Sequence, residues 1–274
     1  LKRRPILPGL KLSLGVTLLY VAVIVALPLA ALVFKAAGLG PSGYWAIVSS
    51  PRAVASYRVT VTAALAATAF NVVFGLALAW VLTRYRFFGW RFVDAVVDLP
   101  FALPTAVAGI ALTALFAPSG WFGAPLSELG IRVAYTPLGI MIAMCFTSIP
   151  FVVRTVQPVL EDLDPALEEA AISLGASDGE TFRRVILPLL TPALLAGASL
   201  SFARSLGEFG AVIFIAGNQP FETEITSLLA FIRLEEYDYR AAAAIASVLL
   251  ITAFLMLALT NVLQARALRY TLKG

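Results

Sequence analysis

The sequence predicts an all-α, polytopic transmembrane helical bundle of six spans. Apolar runs of about 20 residues, the length that crosses a bilayer core, can be placed six times along the chain. The composition is 60% hydrophobic and only 13% charged, more apolar surface than a soluble domain keeps from water. Lysine and arginine also divide unequally between alternate connecting segments, the pattern that sets orientation in a membrane.

The spans are read as Leu12–Phe34, Val59–Leu82, Val93–Phe116, Pro137–Val153, Leu189–Ala216 and Ala241–Leu263. The first follows a basic start, but its apolar run is too long for the core of a signal peptide and is read as a retained span. The fourth is short and continues towards Gln157. The third and fifth carry prolines and ionisable groups, which leaves their ends the least defined. With the N-terminus inside, the inner segments hold Lys2, Arg3, Arg4, Lys11, Arg84, Arg86, Arg91, Arg154, Arg183, Arg184, Arg266, Arg269 and Lys273. The outer segments hold only Lys35, Arg52, Arg58, Arg132, Arg233 and Arg240, with Arg204 left inside a span. Both termini and the polar 158–188 segment are therefore expected on the cytoplasmic side of a multi-pass cell membrane protein. With no linker-like stretch, low-complexity tract or internal repeat, residues 1–274 read as one membrane domain, with the 158–188 loop inside it.

Several chemistries are excluded or made remote. A single cysteine, Cys145, allows no intrachain disulfide. The chain has no histidine, hence neither the commonest general base nor the commonest metal ligand. It has no G-x-x-x-x-G-K-[ST] phosphate loop, so it is not expected to hydrolyse ATP. No catalytic residue and no metal site is assigned. The net charge of +4 is dispersed among short loops, which argues for topology and not for nucleic acid.

The polar island between the fourth and fifth spans has its own local logic. Asp164 is placed to cap a helix whose first residue is Pro165, where a missing N–H costs nothing. Leu167, Ala170, Ala171 and Leu174 recur at helical spacing as a small apolar face. Gly175 falls where a left-handed C-terminal residue is needed, and Ser177-Asp178-Gly179-Glu180 reads as a capping box. Pro188 is expected to end or kink the second helix.

Charges within the spans are the candidate site residues. Arg204 and Glu208, four apart, share a helical face at a depth where charge needs a partner or water. Either they line a path for an anion or they neutralise one another and lock helix packing. Gly207 and Gly210 suit both readings, since small residues allow close approach. Asp94 and Asp98 stand at the start of the third span, where the helix dipole favours acids and Arg91 is a nearby counter-ion. Pro100 and Pro104 are expected to unwind or kink that start. Thr105, Thr147, Ser148, Ser199, Ser201 and Ser205 add hydroxyls; Ser201 and Ser205 are singled out for their closeness to Arg204. In the 217–240 segment, Glu222, Glu224, Glu235, Glu236 and Asp238, interrupted by Arg233 and Arg240, read either as a solvated acidic loop or as a surface that pairs with basic patches on an external protein.

The island reads Glu169-Ala170-Ala171, three residues, Gly175, nine residues, then Val185-Ile186-Leu187-Pro188. It resembles the cytoplasmic coupling (EAA) loop of permease subunits of ATP-driven (ABC) importers, with Val185 where that family usually has isoleucine. Further stretches extend the likeness from Pro8 to about Leu263, among them Trp80–Phe87, Asp98–Gly109, Phe146–Pro158, Arg204–Asn218 and Thr223–Leu229. Together they resemble the sulfate/thiosulfate branch of these permeases, in its T-type subunit. The resemblance implies a type I importer permease fold and a bacterial-type inner-membrane location. It also implies coupling to a partner through Glu168, Glu169, Ala170, Ala171, Leu174, Gly175, Leu187 and Pro188. The implied partners are a second related permease subunit, two copies of a cytoplasmic ABC ATPase that hydrolyses the ATP, and an external sulfate-binding protein. The chain itself is implied to bind no cofactor. Arg204, Glu208, Ser201, Ser205, Asp98 and Thr105 are the candidate translocation path. A molybdate or tungstate permease, sharing the Gly207-Glu208-Phe209-Gly210 segment, is the alternative within the class. A self-sufficient ion-coupled anion carrier, with Glu208 or Asp98 as its proton site, is the alternative outside it.

Overall fold

The structure, a computed structural model, describes residues 10–271, and of Lys11 and 266–271 it describes the backbone alone. Lys2, Arg3, Arg4 and Lys273 of the predicted inner set lie outside the described residues, as do the side chains of Lys11, Arg266 and Arg269. All regular structure among the described residues is helical. The principal helices are α1 (Leu12–Ala37), α2 (Pro51–Arg84), α3 (Trp90–Val97), α4 (Thr105–Phe116), α5 (Pro137–Glu161), α6 (Pro165–Ser173), α7 (Asp178–Leu206), α8 (Thr226–Glu235) and α9 (Tyr239–Thr271).

Five of these, α1, α2, α5, α7 and α9, are long and apolar enough to cross a membrane, and α4 is a shorter apolar helix of 12 residues. The expected third span, Val93–Phe116, is thus not one continuous helix. It is built from α3, a single turn at Leu99–Ala102, and α4. Leu103 and Pro104 are extended between them, with ψ of 134° and 131°. Proline is the cause: Pro104 lacks an N–H to donate and forces the residue before it out of the helical region. The expected fifth span, Leu189–Ala216, also differs. Its helix begins earlier, at Asp178, and ends at Leu206; the remainder is a turn and the short helix Val212–Ile215. Pro188 does not end the helix. A π-helical segment, Phe182–Ile186, precedes it and carries the chain into Leu187–Leu206 without a stop.

The bundle centre is α5, packed between α2 and α7, with α9 against α7 and α8, and α1 against α9. Lipid supplies little hydrophobic drive between spans, so close backbone approach does the work. Val152 of α5 shows how: a Cβ placed on Gly75 of α2 would stand 2.9 Å from Val152 Cβ, and one on Gly197 of α7 would stand 2.9 Å from Val152 Cα. The buried face of α2 is correspondingly small-sided, with Ala63, Ala64, Ala67, Asn71, Gly75 and Ala79.

Candidate functional site

The 158–188 loop is built as its residues dictate. Asp164 Oδ1 accepts from the Ala166 N–H at 3.0 Å, and Pro165 opens α6. Gly175 has φ +86° and donates to Ile172 O at 2.9 Å, while the Ala176 N–H reaches Ala171 O at 3.1 Å. These two bonds form a Schellman stop. Ser177 and Glu180 then form the reciprocal capping box that starts α7. The turn leaves Leu167, Ile172 and Leu174 in the open, Leu174 at 89% exposure, beside exposed Glu169 and Ala170. These side chains make a small exposed apolar ridge on a helix capped at both ends.

Glu168 faces the other way. It is ion-paired to Arg84 at the end of α2. Arg84 lies over the Trp80 ring at 5.2 Å, and Trp80 meets Phe182 edge-on at 5.4 Å. The loop is thereby tied to α2 and α7. Leu187 is half-buried and Pro188 exposed, both on α7 and so on the helix after the one that carries the ridge.

The charged residues of the interior fall into two separate groups. At the end of α7, Arg204 Nη1 lies 2.7 Å from Glu208 Oε2, in an ion pair whose N–H is not aligned for a hydrogen bond. Glu208 is 1% exposed, and its Oε1 accepts from the Ala211 N–H at 2.8 Å. Ser227 Oγ donates to Glu208 O at 2.8 Å. Glu208 therefore closes the 207–211 turn, while Arg204 remains half-buried. Gly210 packs on the first turn of α4: a Cβ there would overlap Thr105 Oγ1.

The second group surrounds the broken helix. Arg154 of α5 binds Asp98 through Nε–Oδ1 at 2.8 Å and Nη2–Oδ2 at 2.7 Å. It also donates to Asp94 Oδ1 at 2.7 Å, to Asp94 O at 2.8 Å and to Gln157 Oε1 at 2.7 Å. The counter-ion of both acids is thus Arg154 and not the expected Arg91, which lies 5.6 Å from the Trp90 ring centre. Arg154, expected in an inner connecting segment, sits on α5.

Ser201 and Ser205 are brought together, but inward. Both are fully buried, and each bonds Ser148 Oγ at 3.1 Å. Asn71 Nδ2 joins them, at 2.8 Å from Ser148 Oγ and 3.2 Å from Cys145 O. The cluster is a polar knot holding α2, α5 and α7. Thr147 and Ser199 are buried as well, and Ser199 bonds its own helix at Leu195 O. Glu224, expected in a solvated loop, is 1% exposed and held by Arg52 at 2.6 and 2.9 Å. Glu222, Glu235, Glu236 and Asp238 are exposed. Sequence reasoning misses the roles of Asn71, Arg154 and the Arg52–Glu224 pair. The signal for each is a polar or charged residue within or beside an apolar run, which names a residue in need of a partner but not the partner.

A bundle of spans centred on α5, with a broken helix beside it and a capped helical loop, has the type I ABC importer permease fold. Residues 71–269 match the family model described as "Binding-protein-dependent transport system inner membrane component", and the chain belongs to that family. It is 58% identical over 263 residues to "Sulfate transport system permease protein CysT" of Salmonella typhimurium, covering 96% of this chain and 95% of that one. The protein of the same name in Escherichia coli is 57% identical over the same shares. That of Synechocystis is 49% identical over 93% of this chain and 89% of its own. Among solved structures, a bacterial ABC transporter involved in import of the polysaccharide alginate superimposes with TM-score 0.76 at 17% identity, covering 94% of this chain and 95% of that one. An inward-facing methionine ABC transporter gives 0.61 at 17% identity over 78% of this chain and 95% of that one.

Proposed function

We propose that this chain is the membrane permease subunit of an ATP-driven importer that moves sulfate, and thiosulfate with it, into the cell. The observation that carries the reading is 58% identity to a sulfate transport permease across 96% of the chain. The bare ridge of α6 supports the energetic half. Leu167, Ala170 and Leu174 dock on a separate cytoplasmic ATPase, present in two copies, and Glu168 passes its motion to α2 through Arg84. The chain binds no cofactor and performs no catalysis itself; ATP is hydrolysed by the partner. A second related permease subunit encloses the path, and an external binding protein delivers the anion. Both termini lie on the cytoplasmic side.

In the path, Arg204 offers positive potential to a dianion, held in place by Glu208, and Asp98 and Thr105 border it at the broken helix. Ser201 and Ser205 act one layer behind, fixing the end of α7 against α5. The test is labelled-sulfate uptake into vesicles that hold this chain, its partner permease, the ATPase and the binding protein. ATP-dependent uptake, displaced by unlabelled thiosulfate and little by molybdate, is the expected result. Displacement by molybdate instead would assign the molybdate branch, and uptake driven by a proton gradient without ATP would discard the importer reading.

A further inference from the structure

The segment joining α2 to α3 has no part in the loop or the path, yet its surface is unusual. Tyr85, Phe87 and Phe88 are exposed, Phe88 completely, and Gly89 with φ +85° turns the chain into α3. Phe92 and Val96 on α3, and Leu99 just past it, are exposed as well. Phe92 and Val96 lie four apart on one face of α3, with Phe88 just before the helix and Leu99 just after it, and together they are the exposed apolar stripe of this segment. The opposite side of α3 is committed inward: Val97 is buried, and Asp94 is held by Arg154.

Two cations flank the stripe. Arg86 lies over the Trp90 ring at 4.1 Å and Arg91 at 5.6 Å from its centre. Both are exposed, and neither forms an ion pair among the described residues. The neighbouring Arg84–Glu168 pair puts the segment at the end of a membrane-crossing helix, on the side of the 158–188 loop. On α2 itself Val73, Phe74 and Val81 are exposed as well.

We propose that the exposed side of residues 85–99, apart from Asp94 and Asp98 which Arg154 holds, forms a seat for anionic lipid on the coupling-loop side of the membrane. Phe88, Phe92, Val96 and Leu99 enter the acyl boundary, Trp90 lies at headgroup depth, and Arg86 and Arg91 take the phosphates. Each element of the chemistry has its reason. Aromatic rings settle at the interface because one end is apolar and the other tolerates water. Arginine meets a phosphate with paired donors, and stacking on Trp90 holds both guanidiniums in place before the lipid arrives. An amphipathic helix with such a face lies in the interface plane. Charge selects the partner: two unpaired cations on an apolar strip fit an anionic leaflet. A basic residue near such a surface favours anionic lipid by about fivefold.

The test uses the full chain in its reconstituted complex and reads Trp90 fluorescence. Vesicles of phosphatidylcholine carry an equal fraction of brominated phosphatidylglycerol or of brominated phosphatidylcholine, bromine being a contact quencher. The Trp90 signal is the difference between the native chain and Trp90→Phe, which leaves Trp80 and its packing untouched. The expected result is several-fold stronger quenching by the brominated anionic lipid. The preference disappears in Arg86→Gln/Arg91→Gln and weakens at high salt, since exposed charges are screened. Equal quenching by both lipids would overturn the headgroup assignment. No quenching by either would show that a protein partner covers the strip. Because the readout is lipid contact and not uptake, neither failure bears on which anion is carried.

Discussion

Arg154 takes both carboxylate oxygens of Asp98, at 2.8 and 2.7 Å, and so bridges the last third of the central helix to the residue that ends α3. The same guanidinium reaches the side chain and the backbone carbonyl of Asp94. One planar fork therefore holds two turns of α3 in a fixed angle to α5, just ahead of the residues Leu103 and Pro104 that leave the helix.

Replacing Arg154 by lysine tests whether the fork or the charge matters. An ammonium is a point charge and cannot hold two oxygens of one carboxylate together with a carbonyl and an amide. Arg154→Lys is expected to lower stability by about 1–3 kcal/mol, the scale of a lost charged hydrogen bond, with the lower end favoured by partial exposure of both partners. Uptake is expected to fall further than stability does. An unchanged thermal midpoint in detergent, with normal uptake, would show that the prolines alone fix the break.

Gly175 gives a sharper test of the loop. Its φ of +86° is one that a side chain resists, yet a Cβ there would touch nothing within 4 Å. The penalty of Gly175→Val is therefore purely local, about 1–2 kcal/mol of left-handed strain, and falls on the turn that sets the angle between α6 and α7. Membrane insertion is expected to be normal while ATP-driven uptake drops at least tenfold in the reconstituted complex. Gly175→Asn, which tolerates this conformation, is expected to retain most of it. Equal transport by the valine and asparagine variants would remove the turn from the coupling argument.

Short-range rules make the loop legible in the sequence. The cap at Asp164, the left-handed Gly175 and the Ser177–Glu180 box each rest on contacts within five residues. The long spans are legible for a similar reason, since length and hydropathy are properties of one segment. The pairings are not. Arg154 with Asp98 spans 56 positions and Arg52 with Glu224 spans 172, and nothing in either neighbourhood names the other. Ser201 and Ser205 show the same limit from the opposite side. Their closeness to Arg204 in sequence suggests the path, but α7 turns them toward Ser148 and Asn71. At Pro188 the rule about helix interiors points to a stop or a kink, and of the two the stop is absent because a π-helical turn carries the helix past it.

The contact between α4 and the 207–211 turn predicts a pair of coupled substitutions. A Cβ on Gly210 overlaps Thr105 Oγ1, and one on Gly109 would stand 2.8 Å from Ala211 Cα. Gly210→Ala is expected to reduce folded protein and uptake together, since the first turn of α4 must shift. Thr105→Ala alone removes only a hydroxyl and a methyl and is expected to be mild. Combined, Thr105→Ala/Gly210→Ala recovers part of the loss, because the clashing oxygen is gone while the Cβ at position 105 remains close. A double variant no better than Gly210→Ala would place the strain in the turn itself and not against α4.

The Arg204–Glu208 pair separates transport from packing most directly. Arg204→Gln alone leaves a carboxylate that is 1% exposed without its cation, a change that costs about 3–5 kcal/mol when a buried pair is broken. That variant confounds the two roles. Glu208→Gln keeps an oxygen for the Ala211 N–H, so the turn survives its loss of charge. In Arg204→Gln/Glu208→Gln the buried charge is gone along with its partner, and the amount of folded chain is expected to return close to native. Sulfate uptake, measured with saturating binding protein and ATP, is expected to stay at least tenfold down, because the positive potential offered to the dianion is absent. Uptake that recovers in step with the folded amount would make the pair a packing lock and remove Arg204 from the path.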